Sequence, residues 1–206
     1  MLRIWGRLSS VNVQKVVWCA GELGLAFDRT DVGGSFGGTD KPEFLAMNPT
    51  ALVPVIDHDG FVLTESNAIV RYLCVHERSA LFPEAVHDRA DVDRWMEWQS
   101  TNWTPAMGPA FWQLVRTPEG ARDAAALQGS MARSEKLAAV LDAHLARRRF
   151  VASDHFTAAD IVIGCATHRW LNLPTQRQAR PHLERWYEEL RSRPASAPVT
   201  SQVPIT

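Results

Sequence analysis

The sequence has no excess of charge of either sign. Its formal net charge is −1 at neutral pH, so it lacks the basic surface that attracts nucleic acids or anionic membranes. No hydrophobic run reaches the roughly 18 residues of a membrane-spanning helix. The one run of like charge, residues 147–149, is typical of a solvated helix end. We therefore expect neither nucleic acid nor membrane as a partner.

Cysteine is also scarce, with three in 206 residues. Cys19, Cys74 and Cys165 lie in apolar stretches, and no two are spaced as Cys-x-x-Cys. This pattern predicts buried thiols and argues against a disulfide framework. Residues Met1–Trp5 read as a short apolar strand, not as a targeting segment. Together these features predict a cytoplasmic location.

Metal-binding patterns are missing as well. The seven histidines show no paired spacing of the kind that binds a metal. His168 lies in a strongly apolar helical stretch, which favours a buried, hydrogen-bonded histidine over a ligand. We expect no metal.

The first third of the chain alternates between strand and helix patterns. Valine and alanine at i, i+3, i+4 and i+7 from Val13 predict a helix over 12–23. Asp59-Gly60 is typical of a hairpin turn. The expected order is strand 2–5, helix 12–23, strand 26–32, a loop with a possible short helix, strand 53–57, strand 61–63, and a helix from residue 66. This order predicts an α/β unit with a mixed four-stranded sheet.

The rest of the sequence shows helical patterns only. Pro105 and Pro109 should bend or interrupt one of them. The helices are expected near 88–99, 121–147, 157–171 and 182–190. We therefore predict a first domain at 1–78, a linker at 79–86 and an all-helical domain at 87–206.

Ser9, Ser10 and Asn12 form the first chemically suggestive cluster, between a strand and a helix. The free N–H groups and positive dipole end of a helix start stabilise an anion, and a hydroxyl there can donate to one. A thiolate held at this point would have a lowered pKa. From the spacing alone, Ser10 or Asn12 as an ordinary helix cap is the better-supported interpretation.

Two further clusters lie at strand and helix ends. A cis Val53–Pro54 bond would leave the backbone of Val53 free for a peptide-like ligand. Glu65 and Ser66 could receive an ammonium and a carboxylate, although Thr64 or Ser66 as a cap is the simpler interpretation. Together, a thiolate site, an extended-backbone site and an amino-acid site would suit a γ-glutamyl tripeptide.

These clusters resemble the glutathione transferase superfamily over nearly the whole chain. Residues 1–76 resemble its thioredoxin-like N-terminal domain, and 87–195 its helical domain. The resemblance is to serine-type members of the phi and theta classes, including bacterial ones. It rests on five motifs in order: Ser10-Val11-Asn12-Val13-Gln14-Lys15, Glu22-Leu23-Gly24-Leu25, Lys41-Pro42-Glu43-Phe44-Leu45-Ala46-Met47-Asn48-Pro49, Val53-Pro54 and Glu65-Ser66-Asn67-Ala68-Ile69.

The resemblance implies roles for individual residues. Ser10 would hydrogen-bond the sulfur of glutathione, with Asn12 as rival or helper and Ser9 as a third candidate. The glutathione-binding residues would be Lys41 for the glycine carboxylate, Leu52, Val53 and cis Pro54 for the cysteinyl backbone, and Glu65 and Ser66 for the γ-glutamyl end. Glutathione would be a co-substrate, and no cofactor is implied.

One position departs from the family pattern. The family often has glycine after Asn-Pro-x, where this chain has Ala51. Since alanine disfavours positive φ, the loop ahead of Val53 is expected to have a different shape.

The helical domain would bind a small hydrophobic electrophile. By position, the pocket would be lined by Trp103, Met107, Phe111 and Trp112, with Arg116 nearby. Packing in the core is an equally supported role for the aromatic side chains, and a solvated charge is the simpler one for Arg116.

The implied activity is glutathione transfer by a homodimer. Alternatives are a glutathione-dependent peroxidase or isomerase, a non-catalytic ligand carrier and a protein-interaction module of the same fold. The absence of cysteine at 9–12 argues against thiol transfer.

Overall fold

A computed structural model describes residues 1–201 and divides the chain into two compact units. The first comprises Met1–Phe82 and the segment beginning at Ala195, and the second contains Pro83–Pro194. The sequence-based domains differ, because we assigned everything after the linker to the helical domain. The C-terminal helix α9 (Ala197–Thr200) instead packs on helix α1 (Val11–Glu22) of the first unit. The last part of the predicted domain, 202–206, lies outside the described residues.

The first unit contains a mixed four-stranded sheet in the order β2-β1-β3-β4. Strand β1 is parallel to β2 and antiparallel to β3, and β3 and β4 form a hairpin. The strands are β1 (Leu2–Trp5), β2 (Phe27–Thr30), β3 (Val55–His58) and β4 (Phe61–Thr64). The predicted thioredoxin-like α/β architecture is confirmed.

Three further elements of this unit position the candidate site. Helix α2 (Pro42–Met47) follows a glycine-rich loop, and helix α3 (Ser66–His76) follows the hairpin. The face of α1 that includes Val13, Val16 and Val17 is buried, as its periodicity predicts, and α1 packs against α3. Between these helices Cys19 Sγ lies 3.7 Å from Cys74 Sγ, and both thiols are buried and not joined in a disulfide.

The second unit contains helices and no strand among its described residues. Its chain path from Val86 to Arg116 is helical throughout, with two π-helical turns in which the helix is wider. The elements are α4 (Val86–Trp98), a π turn (Gln99–Trp103), α5 (Thr104–Phe111), a second π turn (Trp112–Arg116), α6 (Ala124–Leu145), α7 (Ala158–Leu171) and α8 (Pro181–Arg191).

The first π turn lies directly before Pro105. A proline ring clashes with the carbonyl four residues earlier, here Thr101, and the wider turn separates the two groups. Beyond it, the Ser130 hydroxyl of α6 accepts from the Ala110 N–H at 2.9 Å and donates to the Ala106 carbonyl. The helical path therefore continues through both prolines, and α5 remains α-helical around Pro109.

A capping box formed by Thr157 and Asp160 begins α7. The buried Asp160 carboxylate accepts four hydrogen bonds, two from Thr157, one from the Val151 N–H and one from Trp186 Nε1. Burial raises the pKa of Asp160 to about 6, and the hydrogen bonds act in the opposite direction. The cap is therefore also a junction between α7, α8 and the preceding loop.

His168 is buried on α7 and contacts the Tyr187 hydroxyl through Nδ1. Burial lowers the pKa of His168 to about 4, and the charges of Arg191 and Arg169 add to this effect. The imidazole is therefore neutral and structural, as predicted. Within residues 1–201, no three histidine, cysteine or acidic side chains are placed to hold a metal ion, and no helix is long and apolar enough to cross a membrane.

Candidate active site

Ser10 occupies the N-cap position of α1, but its side chain makes no capping hydrogen bond. Its bond to the helix is made by the backbone: the Gln14 N–H donates to the Ser10 carbonyl at 2.9 Å. Ser10 is 9% exposed, whereas Ser9 and Asn12 are half-buried. The capping role favoured by the spacing is therefore wrong for Ser10. Its hydroxyl remains available to a ligand at the positive end of the helix.

Gly6 brings the start of α1 close to the Val53 loop. Its φ is +150°, and a Cβ at this position would lie 2.4 Å from Val13 Cγ2 and 3.1 Å from Val53 Cβ. Any side chain would push apart the turn that leads to Ser10 and the loop that carries Val53. The backbone at Gly6 thus holds two of the three predicted contact regions side by side.

Asn48 organises the loop that leads to Val53. Its amide nitrogen donates to the Leu52 carbonyl at 2.8 Å, and its side-chain oxygen accepts from the Thr50 N–H and hydroxyl at 3.2 and 2.8 Å. Ala51 adopts φ +57° within this loop. The expectation that alanine would avoid a positive φ here is therefore wrong, because the buried Asn48 imposes the turn.

Val53 and Pro54, predicted to bind the ligand backbone, follow this loop directly. The Val53–Pro54 peptide bond is cis. Pro54 is buried, Val53 is half-buried and Leu52 is 63% exposed. Lys41 is exposed at the residue preceding α2, with its carbonyl bonded to the Phe44 and Leu45 N–H groups.

Glu65 is the residue that precedes α3, and it has an unusual backbone conformation. Its φ is +66°, its side chain makes no capping bond, and the residue is exposed. Neither Thr64 nor Ser66 takes the N-cap position, so the simple capping interpretation of this cluster is wrong. A non-glycine residue in the left-handed region costs about 1–3 kcal/mol and is concentrated at functional sites.

Lys15 is a site residue whose role the sequence did not indicate. It is 2% exposed on α1, and its Nζ donates to Ser66 Oγ at 3.4 Å and to Asn67 Oδ1 at 3.2 Å. A buried cation thus lies at the start of α3, beside the predicted carboxylate-binding serine. The available signal was the spacing of Lys15 from Trp18 and Cys19, which places it on a second buried face of α1, since lysine is rarely buried without a partner.

The predicted second-substrate residues divide into two groups. Trp103 is fully buried, donates from Nε1 to Thr167 Oγ1 at 3.2 Å and packs against Trp98 and Trp170. Met107 is 1% exposed. For these two the core interpretation holds, and the expected pocket-lining role is wrong for Trp103.

Phe111, Trp112 and Arg116 lie at the other end of the helical path. Trp112 is 55% exposed, whereas Phe111 is buried at 5%. The Arg116 guanidinium lies 5.2 Å from the centre of the Phe111 ring and 5.5 Å from that of the Trp112 ring. A second guanidinium, from Arg169, lies 4.1 Å from the Phe111 ring. The sequence did not indicate Arg169, because α7 meets this surface only in the folded unit.

Known proteins match both parts of the chain. Residues 9–76 match the family described as glutathione S-transferase, N-terminal domain, and residues 124–189 match glutathione S-transferase, C-terminal domain. Glutathione S-transferase GstB of Escherichia coli is 37% identical, with 100% of each chain covered. Glutathione S-transferase 3 of Zea mays is 33% identical, covering 99% of this chain and 95% of the relative. This chain belongs to the glutathione S-transferase family.

A solved glutathione S-transferase agrees closely in structure. The theta-class enzyme of Xanthomonas axonopodis pv. citri, solved with glutathione bound, has a TM-score of 0.96 at 41% identity, covering 100% of this chain and 99% of that one. All candidate glutathione contacts, 9–66, fall within the match to the N-terminal family domain. Residues 103–116 lie outside both family-domain matches, whereas the Escherichia coli relative and the Xanthomonas structure cover the whole chain.

Proposed function

We propose that the chain is a glutathione transferase in which the Ser10 hydroxyl donates a hydrogen bond to the sulfur of glutathione. The observation that carries this assignment is the Ser10 side chain, which is buried at the start of α1 and not used as a cap. A donor and a helix N-terminus together stabilise a thiolate and lower the thiol pKa. Asn12 and Ser9 are the alternative donors.

The rest of the tripeptide would bind along the edge formed by the loops after β1, before β3 and after β4. The Val53 backbone pairs with the cysteinyl residue beside Leu52 and Pro54. Glu65 takes the γ-glutamyl ammonium and Ser66 its carboxylate, while Lys41 takes the glycine carboxylate. Support comes from Gly6, which keeps the turn before Ser10 close to the loop that carries Val53. Further support comes from Lys15, which places positive charge beside Ser66.

The proposed reaction joins the glutathione sulfur to a small hydrophobic electrophile. With an aryl halide, the thiolate attacks the ring carbon, a C–S bond forms, the halide leaves, and the thiol proton goes to solvent. The protein supplies an ionised nucleophile and binds each reactant. Phe111 and Trp112 are the proposed second-substrate residues, and glutathione is a co-substrate, with no cofactor required.

The test is the pKa of bound glutathione in Ser10→Ala, followed by thiolate absorbance across pH. We expect a raised thiol pKa, a lowered kcat for an aryl halide and a glutathione Kd changed less than kcat. Ser9→Ala and Asn12→Ala are the matched controls. An unchanged pKa in Ser10→Ala, with a raised pKa in a control variant, would move the donor to that residue.

Three alternatives give different outcomes in the same experiments. A ligand carrier would bind glutathione without turnover. A protein-interaction module has no reason to keep the whole set of glutathione contacts, so it would not bind glutathione. A peroxidase or isomerase would use the same thiolate but favour hydroperoxides or isomerisable substrates over aryl halides. Comparing these substrates at saturating glutathione decides between them.

A homodimer and a cytoplasmic location complete the proposal. Support for the location comes from three buried cysteines, none of them in a disulfide, which suit a reducing compartment. Support for the dimer comes from the family alone. Sedimentation at micromolar concentration should give twice the 23.0 kDa chain mass. A monomer at that concentration would rule out the proposed homodimer.

A further inference from the structure

Two histidines and a tyrosine meet where the β3–β4 hairpin packs against α3. His58 is the last residue of β3, His76 is the last residue of α3, and Tyr72 lies one turn before His76. The centres of the two imidazole rings are 4.6 Å apart, and the Tyr72 ring lies 5.9 Å from His58 and 5.7 Å from His76. We call these three residues the histidine cluster. All three belong to the first unit, and none is a proposed glutathione contact.

Both imidazole rings of the histidine cluster are oriented through Nδ1. His76 Nδ1 donates to Glu77 Oε1 at 2.7 Å, and His58 Nδ1 lies 3.2 Å from the Tyr72 hydroxyl, whose oxygen can accept from it. A neutral imidazole that donates from Nδ1 is unprotonated at Nε2, which is the form that binds a metal ion. Histidines that bind metals are usually held in this way, by a carboxylate or another acceptor on the second nitrogen.

The surroundings of the histidine cluster favour a cation. His76 lies at the C-terminal end of α3, where the helix dipole is negative. The acidic residues Asp59 and Glu77 directly follow the two histidines. Their charge reaches the cluster, because burial and then the charges of Asp59 and Glu77 raise the pKa of Tyr72. The N-terminal ammonium of Met1 pairs with Asp59 and offsets part of this negative charge.

We propose that His58 and His76 bind one divalent transition-metal ion, with zinc as the reference ion, through their Nε2 atoms. Two nitrogens on a tetrahedral zinc ion lie about 3.3 Å apart, a separation that ring centres 4.6 Å apart allow. Imidazole is a preferred ligand of zinc, copper and nickel. His76 is exposed and His58 half-buried, so an ion from solvent can reach both.

The proposed site has two protein ligands, and water completes the coordination sphere. No set of three histidine, cysteine or acidic side chains within residues 1–201 is placed to hold the ion, so we expect micromolar affinity and not that of a closed structural zinc site. A bound ion would connect the end of β3 to the end of α3. The spacing of the histidines did not indicate this pair, because the two side chains meet only in the folded unit.

The test is calorimetric titration of the chain with zinc chloride. Glutathione is left out, because its thiolate itself binds zinc. We expect a single saturable binding event, and a rise in the thermal unfolding temperature with zinc concentration. His58→Gln/His76→Gln should lose both effects. Glu77→Gln, which keeps both ligands and removes the acceptor of His76 Nδ1, should weaken binding by about tenfold.

The matched control is His87→Gln/His182→Gln, which removes two exposed histidines of the second unit. It should leave the zinc Kd unchanged. In zinc-free buffer, His58→Gln/His76→Gln should turn over an aryl halide as the unmodified chain does, which separates this site from the proposed transferase site. No binding at millimolar zinc, as when a second copy of the chain covers the cluster, would overturn the proposal. Equal losses of affinity in the two double variants would also overturn it.

Discussion

Lys15 Nζ lies 3.4 Å from Ser66 Oγ and so connects α1 to the start of α3. Ser10 precedes α1 and Glu65 precedes α3, so this buried lysine joins the two helices whose starts carry proposed glutathione contacts. The positive charge also favours a ligand carboxylate at Ser66. Lys15 is therefore placed to position the γ-glutamyl end of glutathione.

We expect Lys15→Met to weaken glutathione binding. The change removes a buried cation and frees the Ser66 hydroxyl, which should raise the Kd by about tenfold, since hydrogen bonds to charged groups contribute about 1.5–3 kcal/mol. Calorimetric titration with glutathione measures this directly. Lys15→Arg, which keeps the charge, should retain most of the affinity. An unaltered Kd in Lys15→Met would show that the contact is structural only.

The strained backbone at Glu65 predicts opposite effects on stability and binding. Glu65→Gly removes the steric cost of φ +66° and should stabilise the chain by roughly 0.5–1 kcal/mol after the entropy of glycine is counted. The same change removes the carboxylate proposed to bind the ligand ammonium, so the glutathione Kd should rise by about tenfold or more. Urea unfolding and calorimetric titration measure the two effects.

Glu65→Gln separates the two causes, because glutamine keeps the side-chain length and the strain but not the charge. It should lose affinity without gaining stability. If Glu65→Gly bound glutathione normally, Glu65 would have no part in the site, whatever its backbone conformation.

Ala51 has the same kind of backbone conformation without a proposed functional side chain. Ala51→Gly should therefore stabilise the chain by roughly 0.5–1 kcal/mol and leave the glutathione Kd unchanged. Asn48→Ala should have the reverse effect on stability, because Asn48 holds this turn through three hydrogen bonds. A stability loss in Ala51→Gly would show that the loop depends on the alanine side chain.

The sequence predicted those parts of the fold that depend on local pattern. The spacing of Val13, Val16 and Val17 predicted α1, and the helical pattern at 157–171 predicted α7. The sequence did not predict features that arise only when distant elements meet. The burial of Lys15, the contact of Arg169 with Phe111 and the packing of α9 on α1 all depend on tertiary contacts that no local pattern encodes.

The sequence also did not predict the backbone conformation at the candidate site. Alanine disfavours a positive φ, so the sequence argued against this conformation at Ala51. The three hydrogen bonds that the buried Asn48 makes with Thr50 and Leu52 nevertheless impose it. At Glu65, the hairpin and α3 together fix a conformation that glutamate rarely adopts alone. Ser10 shows the converse case: its position is that of a cap, but its side chain makes no capping bond.

Asp160 predicts an unusual dependence of stability on pH. Its pKa is raised by burial from 3.8 to about 6, so between these values the folded chain binds more protons than the unfolded chain. The contribution of Asp160 to the unfolding free energy therefore falls as the pH rises from about 4 to 6. Above pH 6 this contribution no longer changes with pH. Asp160→Ala removes the acceptor of four hydrogen bonds and should lower the unfolding free energy, since each buried donor left unpaired costs about 1–3 kcal/mol.

Asp160→Asn isolates the contribution of the charge. Its side-chain oxygen could still accept from the Val151 N–H and Trp186 Nε1, but its amide group would face the Thr157 N–H and hydroxyl, which both donate to the wild-type carboxylate. We expect a loss of about 1–3 kcal/mol, with no fall in stability between pH 4 and 6 from this position. Urea unfolding at a series of pH values compares the two proteins. Parallel profiles for the wild type and Asp160→Asn would mean that the carboxylate does not titrate in this range and that its four hydrogen bonds keep the pKa low despite burial.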